Sequence, residues 1–322
     1  MRRGGLVRAA CAVAFAPLLA ACPGGATGTR LATAREVRLD LVLRDVLSFR
    51  GVAPNKELHL VVAGAPRPAG DGADVVVAAV VETADVSYAD ADGAVTHAGT
   101  SAPPPHSATA SALDLARTAL LEGCRGAPVE LTFRPDPERP EGFEELASVR
   151  GLAAALRAAR DRVRSTADVR ARGALDEAAG GLEAWFDDAA TTRALRAAGL
   201  GPAEADALRG RGVVERTADV AVDGVGLVRV ALRGEAGFAS EGSPTVRLRG
   251  TADAAATPLE PSRVEPPPEL GAVRLGDVTV EAETQYRRDD GRPLRGNVRV
   301  ELPHTGGPLA RRAVEFVLLV RP

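Results

Sequence analysis

Several residue types are scarce in this 322-residue chain, and each shortage excludes a class of structure or chemistry. Aromatic residues make up only 3% of the chain, so the core has to be built from valine, leucine and alanine. Lys56 is the only lysine, which leaves no Ser-x-x-Lys motif for nucleophilic catalysis. The N-terminal apolar stretch, residues 9–21, is too short for a membrane-spanning helix, which needs roughly 20 apolar residues.

The N-terminus has the order of an export signal. The first eight residues include Arg2, Arg3 and Arg8, and residues 9–21 are apolar. This apolar segment ends in two alanines directly before Cys22. A charged segment, an apolar segment and a small-residue cleavage site are the three parts of a secretory signal peptide. We therefore expect residues 1–21 to be removed on export.

The four residues Leu19-Ala20-Ala21-Cys22 resemble the lipobox of bacterial lipoprotein precursors. The resemblance implies cleavage after Ala21 and transfer of diacylglycerol to the Cys22 thiol, so that acyl chains such as palmitate anchor the protein to the membrane without spanning it. Residues 22–34 are rich in Gly, Ala and Thr and suit a flexible tether. Pro23 stands where an aspartate would signal inner-membrane retention, so we expect the periplasmic face of the outer membrane.

The processed chain keeps one free thiol and a negative charge. Cys11 leaves with the signal and Cys22 is acylated, so Cys124 remains alone and no intramolecular disulfide can form. We expect Cys124 to be a small buried residue rather than a reactive thiol. Removal of three arginines takes the net charge from −3 to −6, which argues against nucleic-acid binding.

Alternation of apolar and polar residues predicts a β-rich first half, residues 35–150. Strands are expected at residues 37–43, 58–62, 74–88, 94–98 and 129–134, and Asp-Ala-Asp-Gly at 90–93 predicts a hairpin turn. Residues 112–122 fit a helix or a strand, and residues 143–150 are ambiguous. Residues 101–110 and 135–142 predict loops.

Helical spacing begins at Leu152 and predicts a helical insert over residues 151–210. Its apolar positions are Leu152, Leu156, Ala159, Val163, Leu175, Leu182, Trp185, Phe186 and Leu195, and a short helix is expected over residues 202–209. Strand periodicity returns in the second β-rich half, residues 211–322, at 217–222, 226–234, 245–255, 276–288, 294–302 and 312–320. Residues 258–270 are rich in proline and predict a surface loop.

The order strands, helices, strands predicts an α+β fold: a curved antiparallel sheet, or two packed sheets, with a central helical insert. This order, with the strand-turn-helix passage Val149-Arg150-Gly151-Leu152, is similar to that of uncharacterised bacterial lipoproteins and, more distantly, to the half-barrel of lipoprotein carrier proteins. In that half-barrel a bent sheet covers helices and leaves an apolar cavity. The resemblance transfers no site residue.

No motif predicts catalysis, a metal or a cofactor. The histidines show no metal-ligand spacing, and His59 fits a solvated strand face; the four are His59, His97, His106 and His304. The motif Asp223-Gly224-Val225-Gly226 lacks the third glycine of a dinucleotide loop. Asp187 and Asp188 are adjacent on a helix and point about 100° apart, so they predict a solvated helix face rather than paired catalytic carboxylates.

Trp185 and Phe186 form the only adjacent aromatic pair. Their expected role is to pack the helical insert onto the sheet; the functional alternative is contact with an apolar ligand or a partner. The sequence favours a non-enzymatic envelope lipoprotein that binds a partner protein or an apolar ligand such as a lipid. Two alternatives stay open: an envelope hydrolase whose site forms only in three dimensions, and a structural assembly component without a cavity.

Overall fold

The computed structural model describes most of the chain. The described residues are 13–17, 36–49, 55–68, 74–89, 95–101, 111–135, 144–166, 168–201, 212–262, 271–288, 291–307 and 309–321. The lipobox with Cys22, the tether 22–34, the turn 90–93, the expected helix 202–209 and His106 lie outside these ranges.

Strands dominate the described residues, and four α-helices lie among them. The strands are β1 (Val13–Pro17), β2 (Val37–Phe49), β3 (Asn55–Pro68), β4 (Val75–Ala89), β5 (Val95–Gly99), β6 (Pro128–Pro135), β7 (Glu144–Arg150), β8 (Val213–Val222), β9 (Gly226–Phe238), β10 (Pro244–Thr251), β11 (Glu260–Pro261), β12 (Ala272–Val273), β13 (Thr279–Tyr286), β14 (Pro293–Thr305) and β15 (Leu309–Arg321). The helices are α1 (Ala112–Cys124), α2 (Leu152–Thr166), α3 (Val169–Leu182) and α4 (Asp188–Leu195), followed by a π-helical turn at Arg196–Leu200.

The strands form one antiparallel sheet in the order β1-β8-β9-β10-β13-β14-β15-β2-β3-β4-β6-β7, with β5, β11 and β12 added to β4, β9 and β14. The two β-rich halves are joined because the last strand, β15, pairs with β2 near the start of the fold. The open curved sheet with helices confirms the α+β prediction in its coarse form, and one sheet replaces the alternative of two. Strand β1 falls inside the expected export signal and forms the edge of the sheet, where it pairs with β8.

Successive residues of the strands point to opposite sides, which gives the sheet one buried face and one charged face. In β13 and just before it, the residues predicted to face inward are buried, namely Val278, Val280, Ala282, Thr284 and Tyr286. The opposite face carries cross-strand ion pairs: Arg229–Asp219, Arg233–Glu215, Arg247–Glu283 and Arg249–Glu281. Exposed pairs of this kind contribute about 0–1 kcal/mol each, so this face keeps the sheet solvated more than it stabilises it.

Two contacts measure the curvature of the sheet. Strands β8 and β15 are five positions apart, about 24 Å in a flat sheet. Nevertheless, Asp223 at the end of β8 accepts a hydrogen bond from Arg312 of β15 at 2.8 Å. At the other end of β8, the Arg216 guanidinium lies 3.3 Å from the Tyr286 hydroxyl on β13. The sheet therefore curls until the inner face of β8 meets the inner faces of β13 and β15.

The helices fill the concave side of the sheet. Helix α1 packs against α2, α3, β4 and β5, and α4 packs against β7. A Cβ on Gly123 would lie 2.8 Å from the Cβ of Ala159, so α1 and α2 cross closely at this glycine. Leu120, Leu121 and Leu182 are inaccessible to solvent and join one continuous core with the sheet. The described helices and the sheet therefore share one packed core.

The π-helical turn after α4 is seated on β14 through two glycines. A Cβ on Gly296 would lie 1.6 Å from the carbonyl oxygen of Ala198, a distance that no side chain permits. Gly199 has φ of 123°, a conformation that costs little only for glycine. The turn therefore docks backbone against backbone and fixes the end of the helical insert on the sheet.

The structure resolves two ambiguous segments and corrects one interpretation. Residues 112–122 belong to a helix, α1, and residues 144–150 form strand β7. Asp187 is exposed, as predicted, and caps α4 by accepting from the Ala190 N–H at 2.6 Å, whereas Asp188 is half-buried rather than solvated. Asp188 accepts from the Leu152 N–H at 2.8 Å and so caps the start of α2. A helix N-terminus attracts carboxylates, which explains both positions.

Candidate functional site

The aromatic pair divides into a core residue and a surface residue. Both lie in the turn that ends α3, where the Trp185 and Phe186 N–H groups donate to the Leu182 carbonyl at 2.9 and 3.1 Å. Phe186 is fully buried, whereas Trp185 is half-buried. Phe186 therefore packs the insert onto the sheet, and Trp185 is the member of the pair that a ligand or partner can reach.

Trp185 borders a shallow crevice between α4 and the inner face of strands β2 and β15. Its apolar wall consists of Leu43, Ala184, Ala190, Ala194 and Val314, and Asp45, Thr191 and Arg312 also line it. The cavity volume is about 20 Å³, close to the space of one water molecule. The crevice is open to a side chain at its mouth but does not enclose a ligand.

The charged end of the crevice continues into a buried ionic cluster. The Arg312 Nε and Nη2 atoms donate to the two carboxylate oxygens of Asp45 at 2.8 and 2.7 Å. Its Nη1 atom donates to both oxygens of Asp223 at 2.8 and 3.0 Å. Arg312 thus bridges two carboxylates that come from distant strands.

His304 extends this cluster at its deepest point. Its Nε2 atom lies 3.6 Å from Oδ2 of Asp223, and its side chain is inaccessible to solvent. One guanidinium faces two carboxylates, so the cluster is neutral when His304 carries a proton and has a charge of −1 when His304 is neutral. Desolvated charges are costly, and apolar residues of similar volume often stabilise a fold more. The cluster is therefore better explained by specificity of sheet closure than by stability alone.

The cluster was missed by motif analysis, although the sequence carries a signal for it. Asp45, His304 and Arg312 each continue an alternating strand in phase with its inward residues, whereas Asp223 directly follows the buried Val222 and is out of phase with β8. Asp45 follows Leu39, Leu41 and Leu43, His304 follows Val298, Val300 and Leu302, and Arg312 precedes Val314, Phe316 and Leu318. A polar residue at an inward position of such a strand must find a partner.

The other candidate residues are placed as follows. Cys124 is fully buried in the core, and burial raises the pKa of its thiol to about 12, although the charge of Arg162 acts in the opposite direction. His59 is half-buried and His97 is exposed, each on a separate strand. Within the described ranges, no three His, Cys, Asp or Glu residues are grouped as a metal site.

No helix among the described residues is long and apolar enough to cross a membrane. No family model and no curated protein matches the sequence.

Solved structures with which the chain can be aligned include lipovitellin, from a study of its lipid–protein interactions, at 6% identity and a TM-score of 0.40, over 89% of this chain and 25% of lipovitellin. Another is Rv2717c of M. tuberculosis, at 8% identity and a TM-score of 0.22, over 88% of this chain and 91% of that chain. A third is a DUF1329 family protein of Desulfovibrio piger, at 8% identity and a TM-score of 0.13, over 90% of this chain and 85% of that chain. The chain spans a quarter of the lipovitellin chain. At TM-scores below 0.5, these similarities establish no family membership and no function for this chain.

Proposed function

We propose that this protein is a lipid-anchored, non-enzymatic binding module of the bacterial envelope, which contacts a partner protein through the crevice at Trp185. The observation that carries the proposal is the division of the aromatic pair: Phe186 is sealed in the core, while Trp185 packs against the core but stays partly exposed beside an apolar wall. Tryptophan combines a large apolar surface with a polar N–H group and is enriched at the centre of protein interfaces.

The filled concavity favours a protein partner over a lipid enclosed beneath the sheet. Helices α1–α4 occupy the inner side of the sheet, and the Trp185 crevice has a volume of only about 20 Å³. An acyl chain needs a pocket of several hundred Å³, as do most small ligands, roughly 300–1,000 Å³. A single apolar side chain from another protein needs only the mouth of the crevice and the exposed face of the indole.

The membrane anchor rests on the lipobox-like residues and on the tether that follows them. Acylation at Cys22 would hold the fold near the membrane, at the periplasmic face of the outer membrane by the Pro23 argument. A Cys22→Ser variant is expected to remain an unlipidated precursor and to lose partition into detergent, because position 22 no longer has a thiol to receive the lipid. Unchanged partition would refute the anchor and leave the crevice proposal standing.

The hydrolase alternative gains little from the geometry. The ionic cluster does bring two carboxylates and a histidine together, as a site assembled in three dimensions would require. However, both oxygens of Asp45 and of Asp223 already accept hydrogen bonds from Arg312. A general acid or base must be within hydrogen-bond reach of a substrate proton, and these carboxylates are already occupied.

Site-specific photo-crosslinking tests the proposed surface. We would replace Trp185 by benzoylphenylalanine in the full chain and irradiate cells, with Phe238 as the matched control because it is an exposed aromatic residue at the end of β9. A discrete protein adduct at position 185 and none at position 238 is the expected result. A lipid adduct at position 185 would favour the apolar-ligand alternative, and equal or absent adducts at the two positions would refute the site.

A further inference from the structure

A second crevice, unrelated to Trp185, lies between α1, α2 and β6. It has a volume of about 310 Å³ and is lined by Gly123, Arg125, Gly126, Ala127, Pro128, Gly151, Ala154, Ala155, Ala158 and Arg162. This volume reaches the lower end of the range for small-ligand sites. Apart from the two arginines, every lining residue is glycine, alanine or proline, so the crevice has cationic groups and no acidic side chain in its wall.

The crevice is formed by local geometry at the ends of the two helices. Ala154, Ala158 and Arg162 stand at positions i, i+4 and i+8 of α2 and so share one face of that helix. The opposite wall is the turn after α1, where Gly126 has φ of 75° and a Cβ on it would meet nothing within 4 Å. Small residues on both walls leave the space that larger side chains would fill.

The two crevice arginines differ from Arg160 and Arg164 of α2, which pair with Asp176, and resemble Arg157, for which no ion pair is found among the described residues either. On the same helix, Arg160 and Arg164 lie 2.7 and 3.7 Å from Asp176 of α3. Within the described part of the chain, neither Arg125 nor Arg162 forms an ion pair. Helix α2 carries four arginines against one aspartate, in a protein whose net charge is negative.

Several backbone N–H groups at the crevice already donate within the protein, so its charged side chains are the main groups that can recognise a ligand. The Gly126 N–H donates to Val81 and the Ala127 N–H to Cys124, at 2.8 and 3.0 Å. At the start of α2, the N–H groups of Gly151, Leu152 and Ala153 donate to Asp188. The side-chain donors of the crevice are the two guanidinium groups, whose forked geometry suits phosphate and carboxylate oxygens.

We propose that Arg125 and Arg162 bind a phosphate group in this crevice, either as a free anion or as the headgroup of an anionic phospholipid. Phosphate matches the two forks because it offers several oxygens within one small volume. The small lining residues let the rest of a headgroup lie against Ala154 and Ala158. The site is independent of the Trp185 crevice, so the two proposals can fail separately.

Isothermal titration calorimetry on the full chain carrying Cys22→Ser tests the proposal. The probes are inorganic phosphate, dihexanoyl phosphatidylglycerol below its micellar concentration, and dihexanoyl phosphatidylcholine as the zwitterionic comparison. The double variant Arg125→Ala/Arg162→Ala is expected to bind anionic probe at least about tenfold more weakly, since each charge-assisted hydrogen bond contributes on that order. Both arginines are exposed, so the variant should unfold at the same temperature as the parent.

A charge-matched control distinguishes specific anion binding in the crevice from nonspecific attraction of anions to surface arginines. Arg157→Ala/Arg172→Ala removes the same two charges from exposed positions outside the crevice and should leave binding within about twofold. Binding of both anions would indicate recognition of phosphate itself, and binding of phosphatidylglycerol alone would indicate a headgroup. No saturable binding of either anion, equal binding of phosphatidylcholine, or equal loss in the control would overturn the proposal.

Discussion

Replacement of Arg312 by methionine should be among the most destabilising single changes in the fold. The substitution keeps most of the side-chain volume but removes the cation that bridges Asp45 and Asp223. Arg312 is almost inaccessible to solvent, as is Asp223, so two carboxylates would remain in the interior without their partner.

The expected cost follows from this burial. Removing one partner of a buried ion pair typically costs about 3–5 kcal/mol, and here two pairs lose the same partner. A domain has about 5–15 kcal/mol of stability in total, so the variant would lie near the limit of folding. The exposed pair Arg233–Glu215 gives the matched control, because Arg233→Met removes the same charge from the solvated face and should cost less than about 1 kcal/mol.

Urea unfolding followed by tryptophan fluorescence measures both variants, since Trp185 is the only tryptophan. The triple variant Arg312→Met/Asp45→Leu/Asp223→Asn should recover much of the loss, because it also removes the two carboxylates that the missing cation would leave unpaired. A cost for Arg312→Met no larger than that for Arg233→Met would refute the reasoning, since it would mean that the cluster is solvated.

Three further predictions concern packing and the thiol. Gly296→Ala should lower the free energy of unfolding, measured in urea, by at least about 1–3 kcal/mol, because its Cβ would overlap a backbone carbonyl. The control Gly237→Ala should be neutral, because a Cβ there meets nothing within 4 Å. Equal losses for the two variants would contradict the docking of the π-helical turn. Phe186→Ala should cost about 3–5 kcal/mol and Trp185→Ala clearly less, and the reverse order would refute their assignments as core and surface residues. Cys124 should resist alkylation in the folded protein at pH 8, because its pKa is raised to about 12; fast modification before unfolding would contradict its burial.

The raised thiol pKa also predicts how stability depends on pH. A group whose pKa is higher in the folded state binds its proton more tightly there, so its contribution is present below the unfolded pKa of 9.0 and is lost as the pH rises toward about 12. A Cys124→Ala variant should lose less stability than the parent between pH 9 and pH 11, in parallel urea titrations. Identical pH profiles would show that the thiol is accessible in the folded state.

Local patterns predicted the elements of the fold well. The strand at residues 278–286 and the helix that begins at Leu152 bury the faces that their apolar periodicity predicted. Periodicity succeeds here because each segment has the core on one side and solvent on the other. Residues 112–122 were undecided because they follow a Pro- and Ser-rich segment and their apolar residues fit both periods. Their helical form agrees with a cap at Ser111, whose side chain accepts from the Asp114 N–H, and with the burial of Leu120 and Leu121 in the common core.

Long-range contacts were beyond the reach of sequence periodicity. The pairing of β15 with β2 joins residues at opposite ends of the chain, and no local signal specifies a strand's neighbour. The contact between Arg312 and Asp223 depends on the curl of the sheet as a whole. For the same reason, Asp188 was interpreted as solvated, since the helix that it caps begins 36 residues earlier.

Shielding of the Trp185 crevice in the native envelope is the most direct test of its role as a binding surface. Ala184→Cys places a thiol in the crevice wall and retains Trp185, and Ala239→Cys places one at an equally half-buried position in the turn after β9. The chain suits this experiment, because Cys124 is buried and Cys22 is expected to be acylated. Maleimide should label both positions in the purified protein and only position 239 in intact envelopes. Equal labelling of position 184 in both settings would contradict the proposed interface.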